Sequence, residues 1–91
     1  MYEITEYSKL QAKKLGVQIK PSTRKGKKLD VYKDNKKVAS IGGAGYKDFP
    51  TYTKEKGLQY AKERRKLYKE RHERDRHKKG TAGFYSDKIL W

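Results

Sequence analysis

The residues of this chain that could do chemistry are mostly cations. Residues 62–79 hold ten basic side chains against four acidic ones. Among them Arg64, Arg65, Arg71, Arg74 and Arg76 present planar guanidinium forks that match phosphate, whereas Lys62, Lys69, Lys78 and Lys79 act as point charges. A second basic cluster, Lys20, Arg24, Lys25, Lys27 and Lys28, is expected to occupy the loop between the first two strands. Each phosphate that such a surface neutralises releases a condensed counterion, a gain independent of base sequence. The whole chain carries 25 Lys+Arg and 11 Asp+Glu, a formal net charge of +14. So large an excess repels itself in the compact state, which favours an anionic partner over a merely solvated basic helix.

Other chemistry is harder to build. His72 and His77 lie five apart with Glu73 and Asp75 between them. Metal ligands on one helical face need a separation of three or four, and the neighbouring cations oppose an ion, so no metal and no cofactor is expected. A nuclease using these histidines would need a pocket and an activated nucleophile, neither of which is readable, and a non-catalytic protein is the expectation. In the stretch SIGGAGYKDF, Gly42, Gly43 and Gly45 lack both the following helix of a dinucleotide fingerprint and the lysine-serine pair of a P-loop. These glycines are expected to let the chain leave a sheet and closely approach the long helix predicted over residues 54–78. Asp30, Asp48 and Asp87 read as turn or cap residues or as partners for the surplus lysines.

The elements that must position these groups come from a single small α+β domain of 91 residues. With 33% hydrophobic and 40% charged residues the core must be one small cluster, yet 12% aromatic content separates the chain from a disordered basic tail. There are no cysteines, which removes disulfides, a zinc finger and a thiol nucleophile together. No run of about 18 apolar residues suggests a membrane span. Glu3 and Glu6 at an N-terminus without an apolar region predict no secretory signal and an interior location.

Residues 5–16 predict a helix capped by Thr5 or Ser8 and stopped by Gly16, with Lys13 and Lys14 complementing its dipole. Residues 17–43 switch to a period of two and predict a three-stranded antiparallel meander, with Asp34-Asn35 as its second turn and Val38 one step out of phase with Ala39 and Ile41. Pro50 predicts an extended connection over 46–53, with Thr51 or Thr53 capping the next element. Residues 54–78 predict a long basic helix across one face of the sheet, its apolar stripe made of Leu58, Ala61, Arg65 and Tyr68 and its exposed side supported by Glu63–Lys66 and Glu70–Arg74 pairs. Residues 80–91 end in Phe84, Tyr85, Ile89, Leu90 and Trp91, an aromatic segment that either folds back to close the core or docks onto a neighbouring subunit.

The motifs GGAGYKDF, RRKLYKERH and TAGFYSDKILW, in this order over roughly residues 28–91, together resemble a small family of uncharacterised proteins encoded by large double-stranded DNA viruses and some tailed phages. The resemblance implies a virus-encoded protein carried in the particle, with a shorter helix and a more irregular stretch after His72. It brings no catalytic activity or cofactor. Tyr46, Asp48, Phe49, Arg65, Tyr68, Arg71, His72, Ala82, Gly83, Phe84 and Trp91 are its motif positions and read as core and as helix-to-sheet contacts. The expected function is binding of viral nucleic acid through its phosphates, DNA more than RNA and without a membrane, in the virion or the host cell interior. The alternative is a minor capsid or cement protein whose basic face meets acidic shell subunits and whose C-terminal aromatics sit in a groove.

Overall fold

In a computed structural model, which describes residues 3–91, the first helix, α1 (Glu6–Leu15), forms as its termini dictate. The Thr5 hydroxyl accepts from the Ser8 N–H at 3.1 Å. Gly16, at φ 73°, closes the other end, with its own N–H reaching Lys13 O and that of Val17 reaching Ala12 O, the paired bonds of a left-handed C-terminal stop. Three strands follow in antiparallel order: β1 (Gln18–Pro21), β2 (Lys27–Lys33) and β3 (Lys36–Gly43). Asp34 and Asn35 both take positive φ, the requirement of a tight hairpin whose twist matches its strands. Val31 faces Ala39 while Tyr32 faces Lys37, so Val38 is the extra residue of a β-bulge and is turned outward. This is the physical origin of the broken alternation in β3.

The predicted extended connection over 46–53 is instead the start of α2 (Phe49–Lys56). Asp48 caps it by accepting from the Thr51 N–H at 3.0 Å, and Pro50 occupies the first turn, where a missing N–H costs nothing. The single helix expected over 54–78 is interrupted at Gly57, whose φ of 92° no helix accommodates, and resumes as α3 (Leu58–Arg71). Residues 72–81 form successive turns. The Glu63–Lys66 and Glu70–Arg74 pairs do not form among the described residues, the second because Arg74 lies beyond the helix end.

The chain ends in a last helix, α4 (Ala82–Ile89), capped by the Thr81 hydroxyl. It is α4, with α1, that covers the apolar face of the sheet, while α3 packs along α2. The core joins Ala12, Val17, Leu29, Val31, Ile41, Tyr85, Ile89 and Leu90, with Phe84 and Trp91 half-buried against it. The C-terminal aromatics therefore close the core. Of the residues expected to dock on a partner, Tyr85, Ile89 and Leu90 are buried within this chain, while Phe84 and Trp91 remain half-buried. Two polar bonds tie this helix down: Ser8 Oγ donates to Ile89 O at 2.9 Å, and the Phe49 N–H donates to Leu90 O at 3.0 Å.

Candidate functional site

The end of β3, α2, the C-terminal half of α3, the 72–81 turns and the start of α4 surround a cleft of about 840 Å³. Two glycines shape one wall. A Cβ on Gly42 would sit 2.7 Å from Leu90 Cδ1 and 3.0 Å from Lys28 Cδ, and one on Gly43 would sit 2.7 Å from the Tyr46 ring. The close approach expected of these glycines is thus real, but it is made to α4 and to Tyr46 rather than to the long helix. On the far wall Gly83 lets the first turn of α4 press on Asp75, where an added Cβ would stand 3.1 Å from the Asp75 side chain. Leu90 and Trp91 contribute apolar surface, and Tyr68 stacks on Trp91 with centroids 4.5 Å apart and planes 11° from parallel. The Tyr68 hydroxyl donates to Ser86 Oγ at 3.1 Å. Burial pushes its phenol above the ordinary value of 10.0, against the opposing effect of that hydrogen bond.

The two basic clusters meet here. Lys27 and Lys28 from β2 line the same cleft as Arg64 and Arg71 from α3 and Lys78 from the turns, together with Lys47, which had not been singled out. Their charges are in different states. Lys28, expected on a loop, lies in β2 and is only 7% exposed, its ammonium 3.1 Å from the Asp48 carboxylate. It builds the cleft wall and is not an open phosphate contact, since burying it without a partner would be prohibitive. Lys47 pairs with Glu55, whose hydrogen bond raises its pKa. The Arg64 guanidinium lies 5.4 Å from the Tyr52 ring. Lys27, Arg71 and Lys78 make no ion pair among the described residues, although Asp75 also lines the cleft.

The remaining basic residues are dispersed. Lys69 is drawn to the buried Asp87 at 2.7 Å, and Arg76 bridges Glu73 at 2.8 Å and Asp87 at 3.7 Å. These contacts lock the 72–81 turns and α3 to α4, so neither side chain is free to take a phosphate without breaking them. The Arg65 guanidinium lies over the Phe49 ring at 4.3 Å, and the Lys20 ammonium over Tyr32 at 5.0 Å. Arg24 and Lys25 are exposed in the turn after β1, and Lys62, Arg74 and Lys79 are exposed outside the cleft.

The two histidines have separate surroundings. His72 lies 4.4 Å from Tyr68 by ring centroids and lines the cleft, whereas His77 contacts Glu73 at 2.7 Å. Hydrogen bonds from His77 and Arg76 hold the Glu73 carboxyl below its usual range. Among the described residues no three His, Cys, Asp or Glu side chains are grouped to hold a metal ion, and no helix is long and apolar enough to cross a membrane.

Of the residues now in the cleft, sequence reasoning missed Lys47 and Tyr52 as site residues and took Tyr46 only as a motif position. The available signal was their place directly after the glycines and a cap residue. No family model, no curated protein and no solved structure matches this chain, so the resemblance to the viral and phage proteins stands on its three motifs alone.

Proposed function

We propose that this protein binds nucleic acid through the phosphate backbone with little dependence on base sequence, as a non-catalytic, virus-encoded component of the particle. The observation that carries the reading is convergence. Members of two basic clusters more than thirty positions apart in the chain, Lys27 and Lys28 from one and Arg64, Arg71 and Lys78 from the other, line one concave site, and Lys27, Arg71 and Lys78 have no carboxylate partner among the described residues. Like charges gathered on one concave surface repel one another, and a polyanion relieves that repulsion with many partners at once. The viral part of the reading is supported by the motif resemblance.

The test is a salt titration of binding to a short random-sequence duplex and to its matching single strand, with an acidic polypeptide as control. For about three to six phosphate contacts, affinity should fall roughly 40- to 2,000-fold between about 50 and 200 mM salt. An affinity indifferent to salt overturns the reading. Equal binding to the acidic polypeptide transfers it to acidic protein surfaces.

A further inference from the structure

The cleft holds a feature that phosphate binding alone does not use. Tyr46 is 78% exposed, the most exposed of the large hydrophobic side chains among the described residues. Its ring is nevertheless placed, because it packs so closely on Gly43 that a single methyl there would meet it at 2.7 Å. The other cleft rings are committed. Tyr68 is held between Trp91 and His72, and Tyr52 contacts Tyr60, Trp91 and Arg64. Tyr46 has no ring partner among the described residues.

We propose that the cleft receives an unpaired nucleotide of a single strand, with its base stacked on Tyr46 and the adjoining phosphates on Lys27, Arg71 and Lys78. This rests on the phosphate-binding reading above and decides which form of nucleic acid is preferred. The volume falls in the range of roughly 300–1,000 Å³ typical of small-ligand sites, which suits a nucleotide and its flanking phosphate but not a duplex. Bases inside a duplex are paired and stacked on one another, so their faces are closed to a protein ring. A basic groove with an open aromatic platform is how single strands are held without sequence preference, since every base has a π-face. The glycine beneath the ring lets it lie against the backbone, so that its other face is open to a base.

The experiment uses the full chain, with fluorescence anisotropy of a labelled oligothymidylate and of a random-sequence duplex of equal length. The unmodified protein should prefer the oligothymidylate. Tyr46→Ala should weaken single-strand binding about 5- to 150-fold, the range for loss of one base–aromatic stack, and leave duplex affinity unchanged. Tyr46→Phe should bind as the unmodified protein does. Gly43→Ala, at a position whose φ is not positive, should displace the ring and reproduce part of the Tyr46→Ala loss. Arg24→Ala, outside the cleft, should lower both affinities alike. If Tyr46→Ala leaves salt-dependent single-strand binding untouched, the stacking inference is overturned while the backbone reading survives. If neither probe binds in a salt-dependent way, both fall together.

Discussion

The two halves of the molecule are held together by different forces. Where α1 and α4 cover the sheet, cohesion comes from aliphatic and aromatic burial, with Leu29, Val31, Ile41 and Ile89 essentially inaccessible to water. Around α2, α3 and the 72–81 turns it comes from charges and rings: Lys28 with Asp48, Lys69 and Arg76 with Asp87, Arg65 on Phe49, and Tyr68 on Trp91. The apolar half has what a small domain ordinarily needs. The polar half has few aliphatic side chains to bury, and Leu58 and Leu67 on α3 remain about half exposed. It recruits its basic residues as structure instead. The total of 25 lysines and arginines is therefore a poor count of the cations available to a partner, since several are already paired inside the fold.

The comparison is broken most severely at Lys28–Asp48. Asp48→Ala removes, in one step, the cap of α2 and the carboxylate that stands 3.1 Å from the ammonium of Lys28, whose side chain is only 8% exposed. Loss of one partner of a buried pair costs about 3–5 kcal/mol, which should appear as a large drop in the urea midpoint. Glu55→Ala, which removes only the half-exposed Lys47–Glu55 pair, should leave that midpoint nearly unchanged. Equal effects from the two variants would mean that burial does not distinguish these pairs and that the polar half is held some other way.

Asp30 sharpens the comparison from the other side, as a charge buried inside the sheet. Burial alone would raise its pKa. Hydrogen bonds from the Ser22 and Ser40 hydroxyls, both at 2.7 Å, and from the Thr23 N–H, with Lys37 nearby, outweigh burial and hold it below 3.8. A carboxyl whose pKa is lowered on folding contributes stability that is fully present above the unfolded value and is lost as pH falls through the folded one. Ser40→Ala should cost about 1–3 kcal/mol at neutral pH, and acid unfolding should begin at a higher pH than in the unmodified protein. Urea midpoints measured from neutral pH to below 3.8 check both. An unchanged acid limb would show that Ser40 does not hold the charge.

How much of this could be read in advance follows the range of the forces. The α1 caps, the Asp34-Asn35 hairpin and the meander depend on neighbours in sequence, and local chemistry was enough for them. Gly57 carried a readable signal for the break between α2 and α3, but the basic run on either side hid it. Pro50 carries two opposed local signals, a restriction on Phe49 and a fitness for a first helical turn, and the Asp48 cap beside it decides for the helix. The burial of Lys28 could not be read from its own neighbourhood, since its partner lies twenty positions away across a tertiary contact. The same holds for the cleft. The basic clusters were visible as composition, whereas their meeting around Tyr46 depends on how α2, α3 and α4 fold back on the sheet.

The smallest expected effect separates the two interactions of Tyr68, which joins the halves. Tyr68→Phe keeps the ring on Trp91 and removes only the hydroxyl that donates to Ser86, so it should cost about 0.5–1.5 kcal/mol at neutral pH. Burial raises the phenol above 10.0, and the sign follows from linkage. A group whose pKa is raised on folding contributes stability that is complete below the unfolded value and is lost as pH climbs through the folded one. The unmodified protein should therefore lose its advantage over Tyr68→Phe as pH rises above 10.0, an effect measurable by urea unfolding followed through the fluorescence of Trp91, the one tryptophan in the chain. A gap that stays constant into the alkaline range would mean that the phenol ionises as easily in the folded chain as in the unfolded one. Tyr68 would then join the halves through its stacked ring, with its hydroxyl still in contact with water.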